Sequence, residues 1–234
     1  MTFDEVMDQL ERMGTEQTRA TFARHGIRNS FGVKVGDLKK LVKDVKKDQP
    51  LALALYDSGN YDAMYLAGLT VNPADMTKQR LQQWADEADG HATAEYTVAG
   101  VAAESRYALE LAREWIASDE EMTAVCGWST YANYVSIAPD ERLDLDELRK
   151  LLNRVRETIH QERNRVRYNM NTFVIAVGTY VAELHEEASS VAAAIGKVSV
   201  HMGDTACKVP MAAEYIAKVA SLGKLGVKRK TCIC

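Results

Sequence analysis

The sequence LDELRKLLNRVRETI, residues 145–159, has the spacing of an amphipathic helix. Its apolar side chains recur mostly every three or four positions: Leu145, Leu148, Leu151, Leu152, Val155 and Ile159. They share one face of the helix, and charged residues cover the other. The next apolar series, from Val166 to Leu184, covers most sides of its helix and predicts a central, buried helix.

Further helical patterns lie before and after this stretch. An apolar stripe runs over residues 35–45, and Pro50 is predicted to end that helix, because the residue before a proline avoids the α conformation. Asn72 and Pro73 predict the start of another helix that continues to Gly90. Pro210 predicts the start of the last helix.

Length and composition favour one large helical domain. The chain has 234 residues but only 4 Pro and 14 Gly, which leaves little material for hairpins and long loops. Roughly ten to thirteen helices are expected, and their recurrence as pairs predicts an all-α fold, an α-solenoid of HEAT-like αα-hairpins. The predicted repeat domain is residues 1–223, followed by a basic, Cys-containing tail at residues 224–234. A compact irregular helical bundle is the alternative.

Charge is segregated along the chain, although the net charge is only −4. Residues 86–121 hold ten acids and two bases, whereas residues 34–47, 149–167 and 218–234 are basic. A stack of helical hairpins curves. If the curvature gathers the basic segments on the concave face, that face is a cationic trough for a polyanion such as duplex DNA.

Several basic residues in these segments are candidates for phosphate contacts. They are Lys39, Lys43, Arg163, Arg165, Arg167, Lys228, Arg229 and Lys230. Arg163 and Arg167 are four residues apart and therefore share a helical face, and the planar guanidinium suits phosphate. The alternatives are a solvated helix start paired with Glu157 and Glu162, and a frayed basic terminus.

Residues 126–134, CGWSTYANY, combine three aromatic rings with several hydroxyl and amide groups. Trp128 beside a helix start could stack on a nucleobase or face a cation. The alternative is an ordinary core tryptophan with satisfied hydroxyl groups around it.

The cysteines and the remaining motifs predict no metal and no cofactor. A zinc site of His201, Cys207, Cys232 and Cys234 would lack a C-x-x-C pair, so no metal is expected. Without a secretory context, the thiols predict a cytoplasmic protein. Residues 122–139, the longest uncharged stretch, are too polar for lipid, so no membrane partner is expected. No Walker motif and no G-x-G-x-x-G is present, so no nucleotide cofactor is expected.

Taken in order, these segments resemble the DNA alkylation repair proteins, the HEAT-like repeat DNA glycosylases. Residues 31–41, FGVKVGDLKKL, are similar to the family's early turn and basic helix. Trp128, followed by Tyr131 and Asn133, is similar to its central tryptophan segment. The resemblance spans roughly residues 20–220.

The resemblance implies a DNA-binding function and two particular contacts. Arg167, which opens an apolar helix, looks like an arginine that meets the DNA backbone, and Lys208 fits a basic position in a later repeat. The family likeness implies duplex DNA held in the concave face, with Trp128 beside a cationic N3- or N7-alkylated purine that is excised.

The sequence departs from the family pattern at the carboxylate. Active members look to have an Asp one turn after the central Trp, where this chain has Ala132 and then Asn133. An amide can position water but cannot balance a cation, so DNA binding is better supported than excision by a DNA-alkylpurine N-glycosylase. If excision occurs, Trp128 and Asn133 are its catalytic candidates. The alternatives are a non-catalytic scaffold for a protein or undamaged nucleic acid, and an enzyme built around His201, Asp204 and Cys207.

Overall fold

The computed structural model describes residues 1–46 and 48–233. The α-helices are α1 (Phe3–Met13), α2 (Glu16–Arg24), α3 (Val35–Leu38), α4 (Val42–Val45), α5 (Gln49–Asp57), α6 (Tyr61–Thr70), α7 (Lys78–Asp86), α8 (Ala99–Glu104), α9 (Ala108–Ile116), α10 (Glu121–Ile137), α11 (Leu145–Thr158), α12 (Asn164–Tyr180), α13 (His185–Ile195) and α14 (Ala212–Ser221). A π-helical turn, Thr93–Val98, runs directly into α8. The described residues contain no β-strand.

From α5 onward, the helices stack in two rows. Consecutive helices pack as pairs: α5 with α6, α7 with the π-helical turn, α9 with α10, α11 with α12, and α13 with α14. The second member of each pair also packs on the second member of the next, and we call α6, the π-helical turn with α8, α10, α12 and α14 the inner helices. Stacked helical hairpins of this kind form an α-solenoid, so the predicted all-α solenoid fold is confirmed.

The core is densest between α10 and α12. Trp128 and Tyr131 on α10 both meet the Phe173 ring edge-on, at centroid distances of 5.3 and 5.6 Å. A Cβ at Gly127 would lie 2.5 Å from the backbone nitrogen of Ile116. Gly127 is therefore what allows the backbones of α9 and α10 to approach so closely.

Two predicted helix boundaries are wrong for reasons of local chemistry. Residues 35–45 form two short helices rather than one, and Pro50 lies in the first turn of α5 instead of ending a helix. A proline fits there because the first amides of a helix have no intrahelical partner. Asn72 caps only a 3₁₀ turn, and Thr77 caps α7, which ends at Asp86.

Asp62 ties the N-terminal helices to the solenoid. Its buried carboxylate accepts hydrogen bonds from the backbone N–H groups of Phe31, Gly32 and Val33, at 2.6, 3.1 and 3.0 Å. Gly32 has a positive φ of 80°, which favours glycine at this turn. Burial raises the pKa of Asp62, and the three amide donors oppose that rise.

We expect Asp62→Ala to lower the free energy of unfolding by about 3 kcal/mol, because it leaves three amides without an acceptor. Urea denaturation measures this loss. Asp8→Ala removes an exposed carboxylate from α1 and should change the stability by less than about 0.5 kcal/mol. Equal losses in the two variants would contradict the anchoring role of Asp62.

Within residues 1–46 and 48–233, no helix has both the length and the apolar character that a bilayer span requires.

Candidate nucleic-acid interface

The inner helices α6, α10 and α12 and the π-helical turn line a cleft of about 290 Å³. Its lining is aromatic and polar, with Tyr65, Tyr96 and Tyr168 joined by Ser129, Asn133, Asn169 and Thr172. Glu95 contributes an acid, and two residues of the C-terminal segment, Arg229 and Cys232, complete the lining. A tyrosine-lined cleft of this kind offers flat faces on which a planar group can stack.

Glu95 lies on the π-helical turn and forms a buried ion pair with Arg165. The guanidinium donates from Nε to Glu95 Oε1 at 2.6 Å and from Nη2 to Oε2 at 2.8 Å. The two side chains are only 3% and 9% exposed, respectively. A π-helical turn inside an α-helix often marks a functional site, because the extra residue redirects side chains.

Two neighbours complete this ion pair. Asn169 Nδ2 donates to Glu95 Oε1 at 2.9 Å, and the Arg165 guanidinium lies 4.2 Å from the centre of the Tyr168 ring. Burial is the largest influence on the pKa of Arg165 and lowers it, but the hydrogen bonds and charge of Glu95, together with Tyr168 and Tyr96, raise that pKa overall. The Glu95 carboxylate is thus fully engaged, and it could balance a cationic ligand only by giving up Arg165.

The two catalytic candidates from the sequence lie in different surroundings. Asn133 lines the cleft, one turn after Ser129 on α10. Trp128 is 0% exposed and packs against Phe173 inside the core, with the Arg154 guanidinium 5.5 Å from its ring. This placement fits the alternative of a core tryptophan and leaves no ring face open to a nucleobase.

The three arginines at the start of α12, with Arg163 as its N-cap, do not point the same way. Arg165, Tyr168, Asn169 and Thr172 lie on the cleft side of the helix. Arg167 follows Arg165 by two residues, which turns its side chain by about 200° around the helix axis. Its Nε atom is buried without a hydrogen-bond partner among the described residues. Arg163 shares the Arg167 face, and its Nη1 donates to the Asp119 carbonyl.

The basic residues of the C-terminal segment have three different roles. Lys228 is held by the fold, because its Nζ donates to the Val135 carbonyl at 3.0 Å and pairs with Asp140 at 2.9 Å. Arg229 lines the cleft, and Lys230 is exposed. The predicted alternative of a frayed terminus is wrong, because this segment packs against the inner helices through residues 226–233.

The remaining basic candidates lie away from the cleft. Lys39 and Lys43 are exposed on or beside the short N-terminal helices, and Lys39 lines a second, open groove of about 850 Å³. Lys208 is exposed in the segment between α13 and α14. The structure therefore brings only Arg229 and the paired Arg165 to the cleft, and it does not gather the predicted cations into one channel.

Two sets of contacts hold the segment between α13 and α14. His201 and Asn164 exchange two hydrogen bonds, at 3.0 and 2.7 Å, which fix the segment to the start of α12. Gly203 then reaches the end of α2, where its Cβ position would lie 2.7 Å from the Arg24 carbonyl oxygen. The segment thus connects the last repeats with the first helices.

The thiols do not form a metal site in the described part of the chain. No group of three or more His, Cys, Asp and Glu side chains there is placed to hold a metal ion. Cys126 and Cys207 are free thiols. Cys234, the fourth residue of the zinc site considered from the sequence, lies outside the described residues.

A stack of helical hairpins with a tyrosine-lined cleft on its inner row defines a HEAT-like helical-repeat protein. The family model described as "DNA alkylation repair enzyme" matches residues 6–209. The chain therefore belongs to the DNA alkylation repair family, as the sequence resemblance predicted.

Two relatives from Listeria cover almost the whole chain. The protein named "Uncharacterized protein Lmo0209" of Listeria monocytogenes is 36% identical over 231 residues, which is 96% of this chain and 100% of that protein. "Uncharacterized protein Lin0241" of Listeria innocua is 36% identical over 225 residues, covering 93% of this chain and 97% of its own.

A solved structure is similar over its full length. It superposes with a TM-score of 0.92 at 35% identity and covers 100% of both chains. It is described as "A new family of proteins related to the HEAT-like repeat DNA glycosylases with affinity for branched DNA structures".

Proposed function

We propose that this protein binds DNA along its concave side, prefers branched DNA to linear duplex, and does not excise bases. One observation carries the proposal: the full-length similarity, at a TM-score of 0.92, to a protein with affinity for branched DNA. The proposal corrects the expectation of a uniformly basic trough. Aromatic side chains line the cleft instead, with Arg229 as the basic residue of the lining.

The charge on the protein surface supports contacts with phosphates. Among the described residues, Arg167, Lys208 and Lys230 have no ion-pair partner within 4.0 Å, whereas Arg163, Arg165 and Lys228 do. Arg167 is half-buried and its Nε is inaccessible, so a phosphate contact falls to the terminal guanidinium nitrogens. A DNA phosphate is an acceptor that such a guanidinium could bind. These three residues, with Arg229 in the cleft, are the proposed DNA contacts.

The state of Glu95 supports binding without excision. Hydrolysis of a glycosidic bond is accelerated by a negative charge beside the sugar, because positive charge develops there. Glu95 is the carboxylate that lines the cleft, and Arg165 already neutralises it in a bidentate pair. Ala132 and Asn133, one turn after Trp128 where the family resemblance implies an acid, are both uncharged.

A mobility-shift comparison tests the binding. A four-way junction should bind more tightly than a linear duplex of equal length, and its affinity should fall steeply between about 50 and 200 mM salt. The double variant Lys208→Ala/Lys230→Ala should reduce the log–log salt slope by about 2, because each lost phosphate contact removes close to one unit.

Lys78→Ala is the matched control for this measurement. Lys78 lies on the outer helix α7 and pairs with Glu110 and Glu114 at 2.8 and 2.6 Å, so its loss should leave the slope unchanged. Equal affinity for junction and duplex, or binding without a salt dependence, would contradict the proposal. Release of 7-methylguanine from alkylated DNA above the rate without protein would refute the absence of excision.

A further inference from the structure

The C-terminal segment crosses the inner helices in the reverse of their chain order. We call residues 226–233 the C-terminal strap. Gly226 N donates to the Thr179 carbonyl at the end of α12, and Arg229 N donates to the Ser136 carbonyl at the end of α10, both at 2.8 Å. Cys232 Sγ then lies 3.5 Å from the Gly100 carbonyl of α8, and Ile233 lines a small pocket together with Gly68 of α6.

The strap is about as long as the distance it has to cover. Eight extended residues reach roughly 26 Å. Four neighbouring helices at spacings of 8–10 Å span about 24–30 Å. The strap ties together repeats that otherwise contact only their neighbours. A solenoid held in this way across its inner side cannot easily change its curvature.

Glu104 holds the far end of the strap. Its Oε1 atom accepts hydrogen bonds from the backbone N–H groups of Cys232 and Ile233, at 2.8 and 3.3 Å. The Thr231 hydroxyl and the Cys232 thiol also donate to it. Glu104 ends α8, the inner helix that continues the π-helical turn with Glu95. One carboxylate oxygen thus holds three consecutive strap residues.

The strap also forms one wall of the cleft. Arg229 and Cys232 both line it, together with Tyr65 and Tyr168. Arg229 reaches this position because the strap is anchored on both sides, at Lys228 by Asp140 and at Cys232 by Glu104.

We propose that Glu104 is a positioning residue that latches the C-terminal strap across the inner helices, and that the latched strap places Arg229 in the cleft to bind branched DNA. The second half of the proposal rests on the proposed function, and the first half does not. Glu104 lies outside the cleft lining, so it acts through the strap.

Alkylation of the cysteines, followed by mass spectrometry, tests the latch in the full chain. Cys232 is only 9% exposed, and burial, with Glu104 nearby, raises the pKa of its thiol. The exposed Cys207 reports full reactivity, and the fully buried Cys126 reports global unfolding. In Glu104→Ala, we expect the alkylation rate of Cys232 to rise at least tenfold, which corresponds to the loss of about one hydrogen bond to a charged group. Cys126 should stay protected.

Two further variants separate the latch from a general loss of charge. Glu104→Gln keeps an acceptor oxygen at Oε1 and should retain most of the Cys232 protection. Glu141→Ala removes an exposed acid from the 3₁₀ turn Asp140–Arg142 and should change nothing. Continued protection of Cys232 in Glu104→Ala would overturn the latch, and so would a simultaneous loss of Cys126 protection.

Mobility shift with the four-way junction tests the second half. Glu104→Ala and Arg229→Ala should each weaken binding about tenfold, and the double variant should be no weaker than either alone. Unchanged or tighter binding after the strap is released would overturn the placement role of the latch. If the wild-type protein binds no DNA, the proposed function fails, whereas the alkylation result still decides the latch.

Discussion

Glu95→Ala should lower the free energy of unfolding by about 3–5 kcal/mol, the cost of leaving one partner of a buried ion pair uncompensated. The variant strands the Arg165 guanidinium, which is 9% exposed, and it also removes one of the two acceptors of Asn169 Nδ2. Urea denaturation followed by circular dichroism measures the loss.

A double variant distinguishes the ion pair from the space it fills. Glu95→Leu/Arg165→Met replaces both charges with apolar groups of similar length, and it should recover most of the stability, because the desolvation cost of the pair disappears with it. A double variant as unstable as Glu95→Ala would contradict this account. It would instead indicate that packing around the π-helical turn determines the stability.

The sequence could not reveal this ion pair. Glu95 and Arg165 are 70 residues apart, and no local pattern connects them. Arg165 stands in a run of three arginines whose spacing indicates an exposed basic face. Only the packing of the π-helical turn and of α12 against the same helix, α10, brings the carboxylate to the arginine. The basic run in the sequence therefore overstates the positive charge available to DNA.

The long helices were predictable because their apolar spacing extends over several turns. The stripe from Leu145 to Ile159 corresponds to α11, and the apolar series after Val166 corresponds to the buried α12. Short helices are decided by caps and tertiary contacts instead. Pro50 shows this, since the sequence alone does not tell a proline that ends one helix from a proline that begins the next.

The tail illustrates a different limit of sequence patterns. Residues 224–234 contain four bases and two cysteines, a composition that fits a solvated terminus. In the structure the backbone of this segment donates to carbonyls at the ends of α10 and α12, and its end is held by Glu104. Backbone hydrogen bonds leave no trace in composition, so this role of the tail could not be foreseen.

Trp128→Ala should also cost about 3–5 kcal/mol of unfolding free energy, because it leaves a cavity between α10 and α12. The indole is 0% exposed and meets Phe173 edge-on, at a ring-centroid distance of 5.3 Å. Trp128→Phe keeps most of the apolar volume and should cost less. Neither variant should change the affinity for a four-way junction at a temperature where it is folded.

Tyr96→Ala is the matched comparison for Trp128. Tyr96 lines the cleft and is 58% exposed, so its loss should change the stability by less than about 1 kcal/mol. It should weaken junction binding about tenfold if a base stacks on its ring. The opposite pattern would be weak binding by a folded Trp128 variant and full binding by Tyr96→Ala. It would indicate that DNA contacts α10 at Trp128 and not the tyrosine-lined cleft. It would then require α10 and α12 to separate when DNA binds.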